Sequence, residues 1–212
     1  IQASFSCLGI TCDNVGVYNG GGGLLPICDD SVEAGIPFLT EYLPLTDVRR
    51  KSRIDRDIRE IEIFMVEDAY EAAKEYYLYG WNTFFSLSQL AKNAFSPGPT
   101  PDFDMFNTYY EGTDYDFAHN IIMDVLEKQP PYDNASTKQR SEIVVGILRS
   151  VVMYLSTLAE LDSAVDECDK SGGSTSTLEL WDGGAAFFIG SAEGQISGGQ
   201  SGGKLLFGLA KE

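Results

Sequence analysis

The chain has 212 residues, 43% of them apolar, enough to bury the core of one large domain or two small ones, which excludes global disorder. Its 32 acidic residues outnumber 15 basic ones and leave a net charge of −17, so nucleic acid and anionic membrane surfaces repel it while cations and basic partners are attracted. No apolar run reads as a transmembrane segment: the longest, residues 143–161, is interrupted by Gly146, Arg149, Ser150 and Ser156.

Residues 1–45 read as an irregular segment. Gly20 to Gly23 favour neither helix nor strand, and three of the four cysteines, Cys7, Cys12 and Cys28, fall here, with Cys168 far downstream. An even number of cysteines in a stretch with little else to hold it points to disulfides, in any of three connectivities, and so to folding in an oxidising compartment. A zinc site is the competing reading, but CxxC spacing is missing and the chain has one histidine, His119. The sequence starts at Ile1, which reads as a processed N-terminus with a signal peptide out of view. The Asn134-Ala135-Ser136 sequon is weak further support for secretion.

From residue 46 the pattern is helical. Thr46 and Asp47 suit a cap, and Ile54, Ile58, Ile61, Met65, Ala69, Ala72 and Tyr76 recur at spacings of three and four, predicting one long helix over residues 46–79 with Gly80 as its C-cap. A shorter helix is expected over residues 83–94, ended by the Pro-rich segment 96–101. Another is expected from Asp114 to the Pro130-Pro131 break. The strongest covers residues 136–169, with Ile143, Ile147, Val151, Tyr154, Leu158, Leu161, Val165 and Cys168 as its stripe and Gly172-Gly173 closing it. A last apolar segment, residues 178–191, leads through a Gly-rich stretch to a short helix over residues 205–210. Period-two alternation is scarce, so the expected architecture is mainly α: a helical bundle over residues 46–212 with an irregular, disulfide-tethered N-terminal segment. Trp81 with Phe84-Phe85 and Trp181 with Phe187-Phe188 raise an internal duplication of helical units, 46–95 and 136–210, or else shared packing.

Motifs for catalysis are missing. Residues 198–205 approach a phosphate loop, but Leu205 stands where a hydroxyl is required, and no buried strand precedes it. A nucleophile–base pair would have to use His119, and no nucleophile elbow accompanies it, so an enzyme is not expected. The densest set of hard ligands is the segment of residues 109–119, with Tyr110, Asp114, Tyr115 and His119; phenolate, carboxylate and imidazole suit ferric iron. On a helix from Asp114, Tyr115 and His119 share a face, while the bland alternative makes Asp114 a cap and the other two packing residues. Glu160, Asp162, Asp166, Glu167 and Asp169 form a second acidic group, either solvated or offset by a cation. Arg49, Arg50, Lys51, Arg53, Arg56 and Arg59 are six of the fifteen basic residues. They read as an anion site, as a docking patch for a protein partner, or as salt-bridge partners of the bundle's own acids.

The segment Trp181-Asp182-Gly183-Gly184-Ala185-Ala186-Phe187-Phe188-Ile189-Gly190-Ser191-Ala192-Glu193-Gly194 resembles a signature of the algal low-iron-inducible periplasmic proteins, iron-assimilating proteins related to the phytotransferrins. Phe106-Asn107-Thr108-Tyr109-Tyr110 with Asp114-Tyr115 is similar to a second segment of that family, and the likeness spans residues 103–210. Gly183 departs from it, standing where an acidic residue is expected. The resemblance implies a non-enzymatic iron-binding protein of the periplasm, the cell surface or an organelle lumen, with carbonate as a synergistic anion. Glu160, Asp182 and Glu193 are further candidate ligands, to be brought near Tyr110, Asp114, Tyr115 and His119 by the fold, and the basic cluster with Arg49, Arg50, Lys51, Arg53 and Arg56, which lies outside the span of the likeness, is the candidate partner of the anion. The competing function is a structural or accessory subunit of a larger extracellular or lumenal assembly, using the same scaffold without metal.

Overall fold

A computed structural model describes residues 39–40, 42–93, 116–193 and 203–210. The described residues are mainly α and contain no strand, only an isolated bridge between Leu39 and Tyr42. The helices are α1 (Arg49–Ser52), α2 (Ile54–Val66), α3 (Tyr70–Tyr79), α4 (Leu87–Asn93), α5 (Phe117–Leu126), α6 (Thr137–Ile147), α7 (Met153–Ser171), α8 (Thr175–Ile189) and α9 (Leu206–Leu209). A π-helical turn, Leu148–Val152, fuses α6 and α7 into one rod.

Local chemistry explains these bounds. The helix expected over 46–79 is three. Arg53 interrupts it first, and α2 then closes on Asp68, whose φ is +62°. There the Asp68 amide donates to Met65 O at 3.1 Å and the Ala69 amide to Phe64 O at 2.8 Å, the paired bonds of a Schellman end. The break shifts the stripe by one residue. Ile54, Ile58, Ile61 and Met65 are fully buried as expected, but Tyr70, Ala73 and Tyr77 then replace Ala69, Ala72 and Tyr76. Residues 83–85 do not join α4; a capping box between Ser86 and Gln89 starts that helix. Ser136 and Gln139 form the capping box of α6, and Gly172, with φ +69°, ends α7.

The rod is the spine of the molecule. α2 and α5 pack against α6, α4 reaches the π turn, and α8 returns along α7 after the short Gly172–Ser174 connection. Because neighbours cover the rod on several sides, its deepest residues are Val144, Leu148, Val152, Met153 and Leu155. The expected stripe of Ile143, Ile147, Val151 and Leu158 packs only partly buried against that core, and Tyr154 and Val165 are exposed. By length and composition the 35-residue rod is able to cross a membrane, which corrects the reading of 143–161 as too interrupted: Gly146, Arg149, Ser150 and Ser156 sit within continuous helix. Here its apolar face is the centre of the core. A second, smaller cluster joins Leu39 and Val48 to Ala186 and Ile189 of α8, with Tyr42 and Phe207 against it.

Residues 1–38 lie outside the described residues, and with them Cys7, Cys12 and Cys28. Cys168, near the end of α7, is buried. The two segments that raised a duplication differ: residues 81–85 form an irregular turn, whereas Trp181 and Phe187-Phe188 lie in α8.

Candidate functional site

Buried carboxylates organise the joints of this fold. Burying an ionised carboxylate costs several kcal/mol unless its oxygens are hydrogen-bonded, and each of these meets backbone N–H groups of a neighbouring irregular segment. Asp182 of α8, 2% exposed, accepts from the Leu45 amide at 2.8 Å, the Thr46 amide at 2.7 Å and the Thr46 hydroxyl at 2.8 Å, and from the Tyr42 hydroxyl. Burial, then the charge of Asp182, push the Tyr42 phenol well above its ordinary range, so Tyr42 remains a donor. Asp57 of α2 is fully buried and accepts from the amides of Trp81 at 3.2 Å and Asn82 at 3.1 Å, the Asn82 side chain at 2.7 Å and the Thr83 hydroxyl at 3.2 Å. Asp55 accepts from the Ala192 amide at 2.6 Å and the Ser191 hydroxyl at 2.9 Å. Burial raises the Asp55 pKa even so. Glu193, 2% exposed, accepts from the Gly203 amide at 2.7 Å.

The family-like signature thus maps onto structural joints. Gly184 lets α8 approach α7, since a Cβ there would lie 2.7 Å from the Leu161 side chain. Gly190, at φ +82°, turns the chain over the Asp55 carboxylate, which a Cβ would meet at 2.7 Å. Gly183 has a specific neighbour: Lys51 Nζ and Glu160 Oε2, paired at 2.7 Å, fill the space a side chain at 183 would occupy, 2.4 and 2.6 Å from its Cβ position. Gly183 and that ion pair are therefore alternatives to an acidic residue at 183.

Of the expected metal ligands, Tyr110, Asp114 and Tyr115 lie outside the described residues. Glu160 is engaged by Lys51, Asp182 by four donors and Glu193 by Gly203. No group of three or more His, Cys, Asp or Glu able to hold a metal forms among the described residues, so the fold does not gather Glu160, Asp182, Glu193 and His119 there. Each of these three carboxylates therefore already has a structural role in the metal-free fold, which is compatible with ligation because a carboxylate can accept a hydrogen bond and bind a metal at once.

His119 differs. It lies in the first turns of α5, four residues after Tyr115, with Nδ1 hydrogen-bonded to the Tyr77 hydroxyl at 2.8 Å and the rings stacked at 5.7 Å. Burial, then the charge of Lys92, lower the imidazole pKa and hold the ring neutral, the form that ligates metals. Tyr77 is itself buried, which pushes its phenol far up. A fixed partner on one ring nitrogen is how a ligating histidine is oriented through the other. The donor type and its support fit a metal; a single imidazole does not complete a site. Tyr77 was missed at sequence level because the shift in stripe at Asp68 concealed that it faces α5 rather than solvent.

The expected anion partners divide. Arg49 forms a fork with Asp47, Nε to Oδ1 at 2.8 Å and Nη2 to Oδ2 at 2.5 Å, and holds that carboxyl below its usual range. Lys51 pairs with Glu160, and Arg56 donates to Ser191 Oγ at 3.2 Å. Arg50 stacks 3.3 Å above the Phe84 ring. Among the described residues, Arg50, Arg53, Arg56 and Arg59 form no ion pair, so salt bridging within the bundle accounts for Arg49 and Lys51 only. Lys204, from the segment that resembled a phosphate loop, pairs with Glu62 at 2.6 Å.

The chain matches no protein-family model, no curated protein and no solved structure.

Proposed function

We propose that this chain is a non-enzymatic iron-binding protein of the low-iron-inducible type, working outside the cytosol, with its ligands drawn from Tyr110, Asp114, Tyr115 and His119. The observation that carries the reading is the His119–Tyr77 pair. It places a neutral, oriented imidazole directly after the segment richest in phenolate and carboxylate, a donor set suited to ferric iron. Glu160, Asp182 and Glu193 are secondary candidates, since protein donors already engage them and they do not cluster with His119 among the described residues. Carbonate, as synergistic anion, rests on the resemblance alone: Arg49, Arg50, Lys51 and Arg56 make contacts with Asp47, Phe84, Glu160 and Ser191, not with His119. An extracytosolic fold held by disulfides from Cys168 and Cys7, Cys12 or Cys28 belongs to the same proposal, and labelling of the unreduced, denatured chain should find few free thiols.

Ferric titration of the full chain at neutral pH tests the metal reading. Tight binding with a visible phenolate band, weakened at least about tenfold in a Tyr115→Phe/Asp114→Asn double variant, is the expected result. Wild type that takes up no iron overturns it. One observation favours the second reading, an accessory subunit of an assembly: four arginines without ion-pair partners among the described residues, in a chain with more than twice as many acids as bases. That reading predicts no iron and a specific protein partner.

A further inference from the structure

We infer that Arg50, Arg53, Tyr79, Trp81 and Phe84 form a docking face for an acidic protein segment that carries apolar anchors. The starting observation is exposure where folding gains nothing. Tyr79 is 71% exposed, Trp81 67% and Phe84 68%, the three most exposed aromatic residues among those described, all within six positions of one another. Single exposed apolar residues are ordinary, but a cluster of them marks an interaction surface.

The loop that presents them is rigid. Gly80, at φ +64°, ends α3 and turns the chain outward. The buried carboxylate of Asp57 then fixes the next residues through Trp81 N, Asn82 N and Asn82 Nδ2, and the Thr83 hydroxyl shares its one proton between Phe85 O at 2.6 Å and Asp57 Oδ2 at 3.2 Å. Behind it, Trp81 rests on Tyr76, ring centroids 6.0 Å apart, and Tyr76 on Phe64 at 5.3 Å. A buried charge and a left-handed glycine therefore hold large apolar side chains in solvent. Such pre-organisation lowers the entropy lost on binding, and tryptophan, tyrosine and arginine are the residue types that dominate binding energy at protein interfaces.

Charge selects the occupant. Arg50 lies flat on Phe84, and Arg53 stands three residues further along the chain, at the joint between α1 and α2 that precedes Asp57. Both are exposed, and neither is in an ion pair among the described residues. A guanidinium stacked on an aromatic ring keeps its donor edge free for a carboxylate. An anionic membrane is a poorer match, because a planar surface faces the whole chain and its net charge of −17. A short acidic segment senses only charges within about one Debye length, roughly 8 Å at physiological salt. None of the five side chains is a proposed metal ligand, so this face and the iron reading fail independently.

The test is selection of a random displayed peptide library on the full chain, followed by titration of a synthetic representative. The expected peptides are net negative and contain aromatic or branched aliphatic residues. Their affinity should fall about tenfold or more in Trp81→Ser and in Arg50→Gln/Arg53→Gln, with unchanged circular dichroism because all these side chains are exposed, and should weaken as salt is raised. Enrichment of neutral or basic peptides, no enrichment, or acidic peptides that bind both variants as well as wild type would overturn the inference. So would phosphatidylserine vesicles, or a second copy of the chain, binding in place of peptides and losing that binding in the same variants.

Discussion

Asp182 has two candidate roles, as a metal ligand and as a structural joint. As a ligand it would be dispensable to the metal-free fold; as a joint it holds residues 42–46 against α8. Asp182→Asn keeps the shape but turns an amino group toward donors, and in chelator-treated protein it should cost on the order of 2–4 kcal/mol in urea unfolding. Unchanged stability would mean that the joint at residues 42–46 does not depend on this carboxylate. His119 gives a second residue-level prediction. As the one histidine of the chain, it contributes a single imidazole signal, which should titrate below the ordinary value of about 6.5. The sign follows from linkage: a depressed pKa means that the unfolded chain binds the proton more readily. The stability it contributes is therefore present above about pH 6.5 and lost as pH falls toward the lower folded value. A midpoint at or above 6.5 by proton NMR would contradict a ring held neutral by burial. At this scale the sequence was informative about residue type but not partner. Asp182 and Glu193 stood out because they lie in the family-like segment, whereas nothing in the local sequence marks Asp55 and Asp57, beside the apolar Ile54 and Ile58 of α2, as buried. Only the path of residues 81–83 and 191–192 in space reveals what those two carboxylates hold.

Helices were legible where their ends carry their own chemistry. Ser136 with Gln139, Gly80 and Gly172 set bounds that hold, because capping is local. The break at Asp68 was invisible because the apolar repeat continues across it, and the face of α6 and α7 was misjudged because periodicity locates one stripe, whereas a helix packed by several neighbours has more than one. The same geometry makes two glycines of the bundle opposites. Gly146 is exposed within α6, and a Cβ there meets nothing within 4 Å, so Gly146→Ala should stabilise by about 1 kcal/mol through helix propensity. Gly184 sits where α8 crosses α7, and Gly184→Ala drives a methyl into Leu161, at a cost of about 1–3 kcal/mol. Thermal melts of the two variants should move in opposite directions; a Gly184→Ala protein as stable as wild type would mean that this crossing is looser than its distances indicate.

For the whole molecule, composition indicated an acidic chain with a core and periodicity indicated helices, but which helix meets which depends on connections and buried polar joints that no periodicity encodes. The net charge has a consequence that the joints do not alter. Seventeen acidic residues have no basic counterpart in number, so the compact state carries self-repulsion that the expanded chain relieves. Opposing this are five ion pairs among the described residues, Arg49–Asp47, Lys51–Glu160, Lys74–Glu127, Lys128–Asp68 and Lys204–Glu62. Pairs with solvent access contribute about 0–1 kcal/mol each, and salt weakens these as well. Repulsion acts among many more groups and over longer range, so screening should remove more of it than of the local pairs. Stability should therefore rise from low to physiological sodium chloride by about 1 kcal/mol, roughly 2–4 °C in Tm for a chain of this size. Tetramethylammonium chloride at equal ionic strength separates screening from site binding: equal stabilisation by both salts is the expected result, since screening depends on ionic strength and not on the identity of the cation. Stabilisation by sodium alone would reveal a cation site among the carboxylates, and a falling Tm would mean that the ion pairs outweigh the repulsion.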